Sequence, residues 1–130
     1  MAEYTFFTRD DAGRFLPTEM AHSLWGPDSL NGPAVCAVAA HAVECEHGRD
    51  GWRPARFTIE LFKNARRLPT TVRTRVERSG GRILVIGFAI SQHDDEAVAD
   101  DAASGETLVA QGITVFLKEG VSPPGARWSQ

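Results

Sequence analysis

The stretch from Pro33 to His47 constrains the fold of this chain more than any other. Ala34-Val35-Cys36-Ala37-Val38-Ala39-Ala40 is almost all small and apolar, and His41-Ala42-Val43-Glu44-Cys45-Glu46-His47 completes it. Pro33 suits the first helical position, where its missing N–H costs nothing, with Asn31 or Gly32 as the cap. Gly48 is a natural stop. The run reads as one helix, apolar nearly all round, and such a helix is buried. Its side chains are small, so whatever packs on it comes close. A strongly curved sheet wrapped around one central helix meets both demands.

The rest of the chain supplies the sheet. Tyr4-Thr5-Phe6-Phe7 is a short β-prone run, and Phe15-Leu16 begins a second one that ends at Pro17. Residues 21–32 read as a loop because they carry Gly26-Pro27 and Asn31-Gly32. After Gly48 the period changes to two. Phe57, Ile59 and Leu61 alternate with Arg56, Thr58 and Glu60. Val72, Thr74 and Val76 alternate with Arg73, Arg75 and Glu77, and Ser79-Gly80-Gly81 makes a hairpin turn. Ile83 to Ile90 is apolar on both faces, which predicts a central strand covered on both sides, and Gly87 within it marks a bulge or a close backbone approach. Residues 92–105 are acidic and small and read as an exposed loop. Leu108 to Leu117 is the last strand. The expected organisation is one α+β domain over residues 1–120 and a weakly ordered tail over 121–130 around Pro123-Pro124-Gly125.

Bulk properties narrow the function. A chain of 130 residues can bury a core without disulfides or metals. The net charge of −3 argues against a general nucleic-acid binder. No apolar run is long enough to span a membrane, and Met1-Ala2-Glu3-Tyr4-Thr5 does not resemble a signal peptide, so the cytoplasm is the expected location. Cys36 and Cys45 lie about 13 Å apart along a helix. That exceeds the roughly 7 Å a disulfide tolerates, so both read as small buried residues. Their spacing matches no metal site. Arginines and one lysine crowd residues 53–82, and acids crowd residues 94–106. The basic stretch reads either as a local anion site or as solvent-facing strand positions. The apolar Ile83–Ile90 strand would stay partly in water in a lone chain, so a dimer is expected.

Leu24-Trp25-Gly26-Pro27-Asp28-Ser29-Leu30-Asn31-Gly32-Pro33-Ala34-Val35 resembles the helix-start signature of the acyl-CoA thioesterase-like hotdog superfamily. Ala42-Val43-Glu44 is similar to the end of that helix. The segment from Arg53 to Phe62 is similar to the family's next strand, and Arg78-Ser79-Gly80-Gly81-Arg82 resembles its charged, glycine-containing hairpin. The likeness spans roughly residues 20–118. It implies a single hotdog domain, a curved antiparallel β-sheet wrapped around one long central α-helix. It further implies an acyl-CoA or other acyl-thioester ligand, no separate cofactor or metal, and an interface site in a homodimer or higher oligomer. The chain resembles the first unit of double-hotdog thioesterases standing alone. It departs from the family where the chemistry falls. The family's His-Gly-Gly reads Leu30-Asn31-Gly32 here, and Ala37 to Ala40, the helix stretch comparable to the family's acid-bearing one, contains no carboxylate.

Thioester hydrolysis needs an activated water and stabilisation of a developing oxyanion. Unpaired N–H groups at a helix start can serve the second need. Gly32 allows close approach and Pro33 offers no donor, which makes the Ala34 N–H the candidate; simple helix initiation explains the same residues. By position along the family pattern, Asn31, Thr58, Glu77 and Thr114 are the catalytic candidates. Glu77 also reads as a surface charge, and Glu60 as an outward or interface residue. His41 reads as a buried structural histidine near Glu44 or as a base, and His22 as a loop residue near a ligand mouth. Trp25 walls an acyl pocket or anchors its loop. Arg78 and Arg82 hold CoA phosphates or decorate a hairpin tip. Two functions stand: an acyl-CoA thioesterase-like hydrolase, and a non-catalytic acyl-ligand binder or structural partner in a hetero-oligomer.

Overall fold

A computed structural model describes residues 4–95 and 105–128. Its elements run in the order β1 (Phe7–Arg9), β2 (Phe15–Pro17), a 3-10 turn (Glu19–Ala21), α1 (Gly32–His47), β3 (Trp52–Leu61), β4 (Thr70–Ser79), β5 (Ile83–His93) and β6 (Glu106–Lys118). One six-stranded sheet holds all the strands in the order β1-β2-β4-β5-β6-β3, with every neighbouring pair antiparallel. The helix lies on the inner face of this curved sheet, against β4 and β5.

The 16-residue helix begins at Gly32, one residue ahead of Pro33, and of the two expected caps Asn31 is the one used. The Asn31 carboxamide accepts the Ala34 N–H at 2.8 Å and donates to the Met20 carbonyl at 2.9 Å, so one side chain caps the helix and ties down the preceding turn. The helix ends at Gly48 for a steric reason. The Gly48 N–H reaches the Glu44 carbonyl at 2.8 Å, and a Cβ there would collide with that same oxygen.

The helix is not buried all round. Ala34, Val35, Val38, Ala39, Ala42 and Val43 are buried against the sheet. Cys36, Ala37 and Ala40 are only half-buried, and His41, Glu44 and Cys45 are exposed. This corrects the expectation of buried cysteines and of a buried His41. The sheet and the short 3-10 turn cover one part of the helix, and His41, Glu44 and Cys45 stay exposed on the rest. The His41 ring stands edge-on to Phe15, with centroids 6.2 Å apart, and Cys45 Sγ lies 3.5 Å from its Nε2.

The inner face of the sheet carries Leu84, Ile86, Phe88 and Ile90 from β5 with Ala110 and Phe116 from β6, all buried. Phe57 stacks on Phe88 with centroids 5.2 Å apart. Leu61, expected on the same inner face, is exposed because β3 is the sheet edge. Strand β5 is central, as expected, but no second layer among the described residues covers its outer face. Instead Gly87 is buried under the Glu77 carboxylate. A bulge between Val76 and Arg78 makes Glu77 the extra residue on β4 and lets it lean across.

The first strand lies at Phe7–Arg9, later than the Tyr4–Phe7 run expected, and both boundaries of the acidic stretch move. Strand β5 runs on to His93, where an exposed loop was expected, and β6 begins at Glu106, ahead of Leu108. Gln92 is buried near the end of β5, accepting the Arg66 N–H at 2.8 Å and donating to the Arg66 carbonyl at 2.7 Å. A buried amide so satisfied extends the strand at no penalty. The remainder of the acidic stretch, residues 96–104, lies outside the described residues.

Candidate functional site

Among the described residues three clefts stand out on this frame. The first lies at the helix start, has a volume of about 270 Å³, and is walled by Leu30, Val35, Leu61, Phe62 and Val109 with Gly32 at its rim. Gly32 has open space where a Cβ would stand, and its N–H has no hydrogen-bond partner among the described residues. The Ala34 N–H is already taken by the Asn31 cap. The donor open to an oxyanion at this end is therefore that of Gly32. Lys63 is the charged residue in the lining, and neither a carboxylate nor an imidazole lines this cleft among the described residues.

The loop before the helix is latched beside the cleft. Asp28 accepts Arg66 Nε at 2.7 Å and the Arg67 N–H at 3.1 Å, and Ser29 Oγ accepts Asn64 Nδ2 at 2.9 Å. The Arg66 side chain, then the Arg67 amide, hold the Asp28 carboxyl below the ordinary aspartate range. Arg66 also reaches Asp94 at 3.0 Å. At the tip of this latched loop, Leu24 and Trp25 are fully exposed. Trp25 therefore packs on nothing among the described residues, and the loop is anchored by Asp28. The Trp-Gly-Pro-Asp run was legible; its partner Arg66, 38 residues on, was not.

The second cleft, about 600 Å³, is a trough on the outer face of the sheet. One cross-strand row there reads Arg75, Gly87, Ile113, Thr58. Small residues of β5 form its floor, and long side chains of β3 and β4 form its walls. Thr58 and Glu77 both line it. Glu77 pairs with Arg75, and Arg73 pairs with Glu106. The Arg73 side chain is the largest influence drawing the Glu106 carboxyl below its ordinary range. Thr114 lies on the opposite face, buried between Ile86 and Phe57, and its Oγ1 has no hydrogen-bond partner among the described residues. Asn31 is at the helix start. The four catalytic candidates thus fall in three places, with only Thr58 and Glu77 sharing a cleft. Arg78 and Arg82 are exposed beside the β4–β5 turn, at the opposite end of the sheet from the helix-start cleft.

Four arginines of the basic stretch are spent within the chain. Arg53 pairs with Glu119, Arg66 with Asp28 and Asp94, Arg73 with Glu106, and Arg75 with Glu77. Among the described residues no cluster of histidine, cysteine and carboxylates can hold a metal ion, and no helix is long and apolar enough to cross a membrane.

One long helix on a curved antiparallel sheet, with a cleft at the helix start, defines a single hotdog domain. The chain belongs to the acyl-CoA thioesterase N-terminal domain family, which it matches over residues 21–112. No curated protein matches it. Solved structures share its fold at low identity. The hexameric broad-specificity acyl-coenzyme A thioesterase HI0827 aligns with a TM-score of 0.62 at 15% identity, covering 82% of this chain and 77% of that one. The PaaI protein of E. coli, from a phenylacetic acid degradation operon, aligns with a TM-score of 0.62 at 16% identity, covering 82% and 70%. The hexameric hotdog thioesterase Cj0915 of Campylobacter jejuni aligns with a TM-score of 0.54 at 9% identity, covering 73% and 74%.

Proposed function

We propose that this protein hydrolyses acyl-CoA thioesters at the helix-start cleft, in a site completed by a second copy of the chain. The observation that carries this reading is the unpaired Gly32 N–H at the rim of an apolar cleft, in a member of a thioesterase family. Asn31 positions that donor by holding the cap. The cleft walls take the acyl chain, and the oxyanion forms against the Gly32 amide.

The second copy adds at β3, a ten-residue strand whose outer edge pairs with no other strand among the described residues. Antiparallel pairing about Thr58 sets Arg56 opposite the partner's Glu60, and Phe57 opposite the partner's Ile59. Both charges are thereby matched twice across the two-fold axis. The same register sets Phe62 beside the partner's Pro54. The partner's hairpin end then lies on the side of this chain's cleft, where the partner's Arg78 and Arg82 meet the phosphates of CoA.

Release of free thiol from a panel of acyl-CoAs tests the proposal. The expected result is turnover of at least one acyl length by the dimer. Absence of turnover at every acyl length in a preparation shown to be dimeric would sink it. Neither a carboxylate nor an imidazole lines the cleft in one chain among the described residues, and this observation favours a second reading, an acyl-ligand binder or the silent half of a hetero-oligomer. That reading expects acyl-CoA to raise the melting temperature without thiol release.

A further inference from the structure

We propose that a third cleft, between β1 and α1, binds a small carboxylate with an apolar body. It has a volume of about 300 Å³, at the lower end of the roughly 300–1,000 Å³ usual for small-molecule sites. It shares no lining residue with the helix-start cleft. Its walls are Phe6, Phe7, Phe15, Ala37 and Val38, so the body of the ligand is an aromatic ring or a short hydrocarbon chain.

The polar lining sets the head group. Arg9 and His41 stand there, and no carboxylate does among the described residues. The Arg9 guanidinium lies over the Phe15 ring, 4.4 Å from its centre, and makes no ion pair among the described residues. The neighbouring acid does not neutralise it. Asp10 accepts both the Arg14 amide and Arg14 Nε at 2.8 Å. The Thr5 hydroxyl, also in the lining, donates to the Phe7 carbonyl at 2.9 Å. The cleft therefore presents a planar cationic donor and apolar walls. An amine meets like charge there, a neutral amide forgoes the charge-assisted bonds, and a carboxylate makes them. The Phe15 ring meets both groups, with Arg9 over it at 4.4 Å and the His41 ring nearly perpendicular to it at 6.2 Å between centroids. The carboxylate is thereby held at the mouth while the body enters between β1 and the helix.

The test is a titration of the full chain with hexanoate and benzoate, monitored by amide NMR, with hexanamide as the neutral control. The expected result is saturable shifts at Phe7, Phe15, Val38 and His41, with hexanamide about tenfold weaker, as loss of a charge-assisted contact implies. Arg9→Gln, an exposed substitution, is expected to weaken hexanoate about tenfold while the amide spectrum stays that of the folded chain. Ala37→Leu fills the cleft and is expected to remove the shifts. The proposal is overturned if the shifts cluster instead at Gly32 and Leu61, if neither acid saturates, or if Arg9→Gln binds as the parent does. None of these outcomes depends on thioester hydrolysis.

Discussion

Single residues hold this fold through contacts that differ sharply in tolerance. Asn31 does two jobs with one carboxamide, and Asn31→Ala is expected to cost about 1 kcal/mol in a urea melt. Asn31→Asp, which keeps the acceptor, should lose less. Gly112 and Gly87 are one strand apart yet opposite in kind. A Cβ at Gly112 meets the Thr58 carbonyl and the Phe88 ring, which cannot retreat, so Gly112→Ala should cost about 1–3 kcal/mol by overpacking. At Gly87 the obstacle is the Glu77 carboxylate, the far end of a flexible side chain, and Gly87→Ala should cost less in the same melt. Asp28 makes a pH prediction. Its folded pKa lies below its unfolded value, so its contribution is complete above the unfolded pKa and is lost as pH falls through the folded one. Asp28→Asn should therefore flatten the acid limb of stability, measured by melts at successively lower pH.

At the scale of elements, the helix and the edge strand carry the two sharpest expectations. The helix packs close because Ala34, Ala39 and Val43 leave no exposed surface on its sheet side. Ala39→Leu should cost about 1–3 kcal/mol, read from the shift in denaturant midpoint. Strand β3 is the opposite case, long, unpaired on one side and exposed. If it pairs with itself about Thr58, Arg56→Glu should weaken the dimer by placing like charges in register. The double change Arg56→Glu with Glu60→Arg should restore it, as read by sedimentation velocity. Equal dimerisation by the single and double variants would exclude this register.

For the whole molecule, the sequence determined the helix and its stop, narrowed its cap to Asn31 or Gly32, showed the alternation of β3 and of β4 up to its bulge, and through its helix-start signature implied the hotdog arrangement. These are local matters: periodicity and capping act within a few residues. The helix-start signature also pointed to the correct family. Tertiary structure alone decided how far the helix is covered, because the sheet and the 3-10 turn shield one part and leave His41 and Cys45 in the open. It decided that Asp28 latches to Arg66, that Glu77 leans over Gly87 from a bulge, and that Gln92 is buried. It also decided that the Asn31 cap occupies the Ala34 amide and leaves the Gly32 amide open. Each of these depends on residues distant in the chain, or on which of two neighbouring groups finds a partner first. A sequence pattern records that a helix begins at Asn31-Gly32-Pro33; only the packed chain selects which of its amides is left without a partner among the described residues.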